Sequence, residues 1–480
     1  MVWSNFVSGT WASTSVDLHL DLVGSRIGES LERALRDAAR TGRLAPGLQL
    51  PSSRALAGDL GIARNTVADA YSQLIAEGWL TARPGAGTYV ADRSPALEAA
   101  AAPAPPASRL RYDLRPGSPD TAAFPRSAWL AATRRALAAA PAEALGYIDP
   151  QGRPELRQAL AGYLARARGV QLTPDRIVIC SGFTQGLGLI CQALRRRGAK
   201  TLAMEVYGQP RHRDIAAAAG LSTATVPVDG HGAMIDKLAD ADAVLLTPAH
   251  QFPLGAALAS QRRGGVVAWA DATAGLIIED DYDGEFRYDR QPVGAVQALA
   301  PERVAYAGTA SKALAPGLRL GWLALPAALV DDVVAVKALT DRSTSSLDQL
   351  TLAEFITSGH YDRQVRRSRL AYRRRRDRLV DALRRQAPGV RITGIAAGLH
   401  LLLELPDGHT EHDIITRAAR HGLALEGLGS YRRAPDTHPP ALVIGYGTPH
   451  EHAFTGAVAR LTAVLAGLRS SDDLRATAQT

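Results

Sequence analysis

The sequence predicts an α/β chain in two unequal parts: an N-terminal winged helix-turn-helix and a large domain built on an open α/β sheet. Three observations predict it. Residues 94–108 read SPALEAAAAPAPPAS, rich in alanine and proline and without an apolar period that could bury a face, which marks a semi-rigid linker. Before it, three helix-period segments lead into two short extended runs around a Pro-Gly turn. After it, apolar runs such as Leu276-Ile277-Ile278 have the continuous character of buried parallel strands. The expected parts are 1–91 for the small unit, 92–112 for the linker and 113–480 for the large unit.

Composition bounds the rest. A chain of 480 residues exceeds one core, and 46% hydrophobic residues support globular packing. A net charge of +8 suits a polyanionic partner without requiring one. Two cysteines, Cys180 and Cys191, make neither a disulfide framework nor a metal cluster, and reduced core thiols in a cytoplasmic, metal-free protein are expected. The opening MVWSNFVSGTWAS lacks a basic stretch followed by an apolar one, so no signal peptide is expected. No apolar run approaches the ~20 residues of a membrane span.

In the small unit, Ile27, Leu31, Ala34, Leu35 and Ala38 follow helical spacing, and Gly42, Pro46 and Gly47 break the chain. Ser52 or Ser53 caps a short helix that Gly61 ends. A third helix follows, with Val67, Ala70, Tyr71, Leu74 and Ile75 as its buried stripe. Arg64, Asn65, Thr66 and Ala68 fall outside that stripe near the N-terminus, where an inserted helix reads base edges and phosphates. WLTARPGAGTYV supplies a wing, with Arg54, Arg83 and the wing glycines placed for phosphate and minor-groove contact. By spacing alone, a helical protein-interaction module with Arg64 on a solvated face fits equally well.

In the large unit, one lysine stands out. Only four of the 55 Lys and Arg residues are lysine, at positions 200, 237, 312 and 337. An amine can form an imine with an aldehyde and a guanidinium cannot. Lys312 follows Ser311 just after the strand-like RVAYAGT, which ends at Thr309. Asp280 and Tyr282 follow the apolar run at 276–278, so acids, phenol and lysine would meet at the ligand-binding rim of an open sheet. Pyridoxal phosphate needs such a set: a lysine for the imine, a carboxylate at the pyridine nitrogen, a phenol at the 3-oxygen, and an arginine, hydroxyls and helix amides at the phosphate. Lys312, Asp280, Tyr282, Ser311 and Arg319 fill these roles, Thr309 stands with them, and Ser181, Gly182 and Phe183 form a second phosphate cradle. Singly, each is more often a surface charge, a solvated loop end or a turn residue; together their spacing favours the cofactor.

Two resemblances bear on both readings. LPSSRALAGDLGIARNTVADAYSQLIAEGWLTARPGAGTYV closely resembles the DNA-binding domain of GntR-type bacterial regulators, which implies DNA contact by Arg54, Arg64, Asn65, Thr66 and Gly85. In some relatives the place of Ala68 is an arginine. FPRSAWLAATRRAL, GYIDPQGRPELRQALAGYLARARGV, TPAHQFPLG, IIEDDYDGEFRY and GTASKALAPGLRLGW resemble fold-type I aminotransferases, and the joined architecture resembles the MocR family. That resemblance implies Lys312 as the imine lysine, Asp280 at the pyridine nitrogen, Tyr282 at the 3-oxygen, and Ser311 and Arg319 at the phosphate. It also implies a head-to-tail homodimer, with Tyr147 reaching the phosphate of the partner subunit.

The chain departs from the pattern in places. Where relatives read Glu-Asp-Pro-Gly-aromatic it reads Glu205-Val-Tyr-Gly-Gln209, so Gln209 replaces the ring-stacking aromatic, with Tyr207 two residues earlier. Val443 stands near the place of the substrate-carboxylate arginine, and Phe252, near His250, where an asparagine is usual. Arg211 sits where some regulators bind a ligand carboxylate; a surface arginine fits as well. The run RRSRLAYRRRRDRL (366–379) reads as a basic helix, either touching DNA outside the main site or a solvated face at a dimer edge. The expectation is a DNA-binding regulator of double-stranded operator DNA that binds pyridoxal phosphate and senses it or an amino compound, with little or no transaminase turnover. A working aminotransferase with a DNA-binding extension, and a regulator with an empty relic pocket, are the alternatives.

Overall fold

Hydrophobic period fixes the small unit. In the computed structural model, helices Ile27–Arg40, Ser53–Leu60 and Arg64–Ala76 precede an antiparallel hairpin, Leu80–Arg83 with Gly87–Val90. The structure describes residues 7–9, 20–22, 26–92, 110–238, 240–288, 293–435 and 438–468. Residues 93–109 of the expected linker lie outside these. The chain divides into two compact units, 1–109 and 110–480.

The Ser52 hydroxyl caps the second helix by accepting from the Ala55 N–H at 3.2 Å, and Gly61 ends it at φ 63°. Leu31, Leu35, Leu56, Val67 and Leu74 close the core, and the Tyr71 hydroxyl donates to the Pro51 carbonyl at 3.0 Å. Arg36 grips Glu77 with two 2.8 Å hydrogen bonds, tying the first helix to the end of the third. The bonds from Arg36 and Gln73 hold the Glu77 carboxyl down to about 2. The wing turns on Gly85 at φ 74°, a conformation that a Cβ disfavours.

The large unit is organised by a seven-stranded sheet in the order Ile177–Cys180, Gly321–Ala324, Val304–Thr309, Leu276–Asp280, Ala243–Leu246, Thr201–Glu205, Ser222–Val226. Only Gly321–Ala324 runs against its neighbours. The inner parallel strands are buried on both faces, which is why Leu276–Asp280 and Ala243–Leu246 read as near-continuous apolar runs, while the edge strand Ser222–Val226 is only partly buried. Helices cover the sheet, and a smaller antiparallel sheet packs Arg391–Thr393, His400–Glu404, Ala441–Gly445 and Glu426–Gly427 in that order. Cys180 and Cys191 are buried free thiols that burial pushes up to about 12, inert at neutral pH.

Helix His360–Gln386 contains the basic run. It turns Arg366, Arg367, Arg373 and Arg374 to solvent and buries Arg375, which donates to Asp120 at 2.7 Å and to Glu451 at 2.8 Å. Among the described residues no helix is long and apolar enough to cross a membrane.

A candidate cofactor cavity and a candidate DNA-reading helix

Strand ends make the cavity. Glu205, Asp280 and Thr309 are the last residues of three parallel strands, and Ser181-Gly182 follows directly on a fourth. Their side chains therefore converge at one rim of the sheet, the place where open α/β sheets hold ligands. A cavity of about 290 Å³ opens there, and Lys312, Asp280, Tyr282, Ser311, Thr309, Arg319 and Phe183 all line it.

One end is made for a phosphate. Gly182, at φ 86°, turns the chain from strand into helix Phe183–Arg196, whose first amides face this rim. The Arg319 guanidinium donates to the Ser181 carbonyl. A Cβ on Gly182 would lie 3.3 Å from Arg319 Nη1, and one on Gly321 only 2.8 Å from Gly182 Cα, so two glycines let the backbone and Arg319 pack closely at this corner. The Thr309 and Ser311 hydroxyls are 2.8 Å apart beside it.

The other end concentrates buried charge. Burial, then Asp281, pushes the Asp280 carboxyl well above its usual range, while Lys312 pulls it back. Burial lowers the Lys312 ammonium, opposed by Asp283 and Asp280, so the amine sheds its proton more readily than an ordinary lysine. Here its ammonium donates to the Gly117 carbonyl. Lys337, by contrast, is a buried structural cation, bonded to Asp341 at 2.8 and 2.9 Å. Desolvation, then Asp283 and Asp280, raises the half-buried Tyr282 phenol, which keeps its proton.

An amine, a strand-end carboxyl, a phenol, paired hydroxyls, a guanidinium and a glycine-opened helix start fit pyridoxal phosphate group by group. The firmest sign is that Lys312, Asp280, Tyr282, Ser311 and Arg319 all line one cavity.

The cavity has further walls that the sequence reading did not name as site residues: Glu205, Thr247, His212, Arg213 and His400. Burial raises Glu205 to about 7 against hydrogen bonds from Thr247, at 2.6 Å, and Gln251. Burial, then Arg213 and Arg211, holds His212 down to about 4, so its ring is neutral. Glu205 had a usable signal, since it ends an apolar run as Asp280 does. His400 had none, because it arrives from the second sheet.

Gln209, Tyr207 and Phe252 line the cavity too. Arg211 does not; it faces solvent, while Arg213 lies inside and spends a guanidinium nitrogen on the Glu205 and Val206 carbonyls, both at 3.0 Å. Tyr147 is 87% exposed, away from this chain's cavity, with the Arg342 guanidinium 4.5 Å above its ring.

In the small unit, the side chains of Arg54, Arg64 and Asn65 are exposed and have no hydrogen-bond partner among the described residues. Thr66 is half-buried. Helix Arg64–Ala76 starts without a side-chain cap; the Thr66 amide bonds the Ala63 carbonyl at 3.1 Å, and those of Arg64 and Asn65 are left open to an anion. Arg83 is exposed and stacks on Tyr89 at 4.5 Å, and Gly85 sits at the wing tip.

Residues 27–90 match the bacterial regulatory proteins of the gntR family, and residues 114–423 match aminotransferase class I and II. The HTH-type pyridoxine biosynthesis transcriptional regulator PdxR of Corynebacterium glutamicum is 32% identical over 91% of this chain and 95% of its own. The probable rhizopine catabolism regulatory protein MocR of Rhizobium meliloti is 32% identical over 81% of this chain and 84% of its own. The crystal structure of Pyrococcus horikoshii kynurenine aminotransferase, 24% identical, superposes with a TM-score of 0.67 over 75% of this chain and 91% of its own, a likeness of fold.

Proposed function

The chain belongs to the MocR-type GntR regulators, which join a winged helix-turn-helix to an aminotransferase class I and II domain, and from that premise we propose a transcriptional regulator that reads operator DNA and binds pyridoxal phosphate at Lys312. The observation that carries the cofactor half is the convergence of Lys312, Asp280, Tyr282, Ser311 and Arg319 on one cavity at the sheet rim. Bound there, pyridoxal phosphate supplies an aldehyde for amines and an electron-withdrawing pyridine ring. Lys312 provides the anchoring amine. Asp280 holds a proton at the ring nitrogen, which its raised affinity for protons suits. Tyr282 donates to the ring oxygen. Thr309, Ser311, Arg319 and the amides at Gly182 and Phe183 grip the phosphate, while the Ser181 N–H is spent on Gln185 Oε1 at 2.6 Å.

On DNA, Arg64, Asn65 and Thr66 enter the major groove, and Arg54, Arg83 and Gly85 meet the backbone and minor groove. The protein acts as a head-to-tail homodimer in the cytoplasm, with Tyr147 serving the partner's phosphate site. A relative named for pyridoxine biosynthesis makes the cofactor itself one candidate effector; an amino compound, its carboxylate met by Arg211, is the other. Arg211 stands outside the cavity, so it meets such a carboxylate only at the cavity's exterior. Either regulates only by preferring one arrangement of the protein over another.

The test is operator affinity for the gene's own upstream region, with and without cofactor and amines. A change in affinity that Lys312→Ala abolishes supports sensing, and equal affinities refute it. Transaminase turnover at about 1 to 10³ per second would instead favour a working enzyme.

A further inference from the structure

A buried polar stack stands behind Tyr282 with no part in the roles above. His250 and Asp283 are 2% and 1% exposed. The His250 Nδ1 lies 2.8 Å from Asp283 Oδ2, so the carboxylate fixes the proton on Nδ1. The Tyr282 hydroxyl lies 3.1 Å from the same nitrogen and donates to the His250 carbonyl at 3.0 Å. One imidazole N–H is thus shared between a carboxylate and the phenol oxygen.

The packing leaves the pair no other position. Gly398 closes over it, and a Cβ there would come within 2.4 Å of both Asp283 Oδ2 and His250 Cε1. On the other side the His400 ring stands 4.9 Å from His250. Phe252 meets Tyr282 edge-on at 6.0 Å and offers no donor, so the phenol depends on His250 for its orientation. The second Asp283 oxygen is buried without a partner among the described residues. A buried carboxylate left half-satisfied costs stability unless a nearby cation uses its field. Asp283 lies close enough for its charge to raise the proton affinity of the Lys312 amine.

We propose that Asp283 and His250 are a positioning pair: the His250 Nδ1–H holds and polarises the Tyr282 oxygen, so that the phenol proton turns from the His250 carbonyl to the cofactor's ring oxygen when the cofactor is bound, and so helps set the proton balance at Lys312. The proposal rests on the cofactor reading. Asp280, Asp283, Glu205, His250, His400 and Lys312 all face this space, so no single titration identifies the pair; a comparison of variants does.

The experiment follows the visible absorption of the cofactor-loaded full chain against pH. His250→Leu removes the N–H, while His250→Asn keeps a side-chain N–H at the place of Nδ1. With a weaker phenol donor, the ring oxygen and amine hold their shared proton more tightly, so His250→Leu should raise the midpoint by about one pH unit, a tenfold change in proton affinity. His250→Asn should stay near the parent. In a Tyr282→Phe background the His250→Leu shift should vanish, because the pair acts through that hydroxyl. If His250→Leu does not fold, His250→Gln moves the N–H out of place and should give the same upward shift. A bound chromophore whose midpoint ignores these changes, or shifts equally in the Leu and Asn variants, overturns the pair alone. Absence of any chromophore, with Lys312→Ala identical to the parent, overturns the cofactor reading and the pair with it.

Discussion

Arg168 offers the sharpest test of what holds the site in shape. It is buried, as is its partner Asp281, at 5% and 1% side-chain exposure. Its Nε donates to Asp281 Oδ2 at 2.6 Å and its Nη2 to Oδ1 at 3.1 Å. Its Nη1 reaches the Gly284 carbonyl at 3.2 Å and the Val293 carbonyl at 3.1 Å. One guanidinium thus pins the segment that carries Asp280 and Tyr282, so tightly that a Cβ on Gly284 would fall 2.5 Å from it. Arg168→Met leaves Asp281 charged and buried with only the Tyr306 hydroxyl, at 2.7 Å, to serve it. Removing one partner of a buried pair costs about 3–5 kcal/mol. The two orphaned carbonyls push toward the upper end. Against a net stability of roughly 5–15 kcal/mol that is a third or more of the total. Urea unfolding of the full chain, reading the large unit's transition, measures it. The double variant Arg168→Met/Asp281→Leu should cost about 2 kcal/mol less than the sum of the singles, because no unpaired charge remains. A cost below about 1 kcal/mol for Arg168→Met, or strict additivity, would refute the reasoning.

Other outcomes follow from the same geometry. Burial alone would raise Asp120, but hydrogen bonds from His450 and Arg375 hold it below its usual range. Its contribution is therefore present above the unfolded value of about 4 and lost as pH falls through the lower folded value. Asp120→Asn should flatten the acid limb of a stability-against-pH curve, and an unchanged limb would count against it. Gly182→Ala forces a side chain to φ 86° and 3.3 Å from Arg319 Nη1; cofactor affinity, read by fluorescence quenching, should fall about tenfold for the ~1–2 kcal/mol of backbone strain. Arg64→Ala should cost about 1–3 kcal/mol at the cognate operator and relax its specificity, whereas Arg54→Ala should weaken all sequences alike, as competition gel shifts would separate. If the exposed face of helix His360–Gln386 is merely solvated, replacing Arg366, Arg367, Arg373 and Arg374 by Gln leaves the salt dependence of operator binding unchanged; loss of slope would place DNA there.

Much of the architecture was legible because local rules suffice for it. The helix stripes at Leu31 and Leu35 and at Val67 and Leu74, the Ser52 cap with Gly61, and the Pro84-Gly85 turn each declare themselves within a few residues. Lys312, Asp280 and Arg319 could be drawn together because a strand end followed by a polar residue is a readable sign of a sheet rim. What stayed hidden depends on contacts distant in sequence. Nothing near His400 announces that the second sheet delivers it to the cavity, and nothing near Asp283 announces a partner at His250. The spacing of Arg211 and Arg213 on one helix turn could not say which of them turns inward. Arg375 sits in a run of arginines, and only the fold distinguishes the one that braces Asp120 from those in solvent.

The most direct measurement is borohydride reduction of the cofactor-loaded protein, followed by peptide mass analysis. The chain has four lysines, at 200, 237, 312 and 337, so the assignment is unambiguous. The expected result is a phosphopyridoxyl mass on the Lys312 peptide and none on the other three. A label spread over exposed Lys200 and Lys237, or no label at all, would contradict a cofactor held at Lys312.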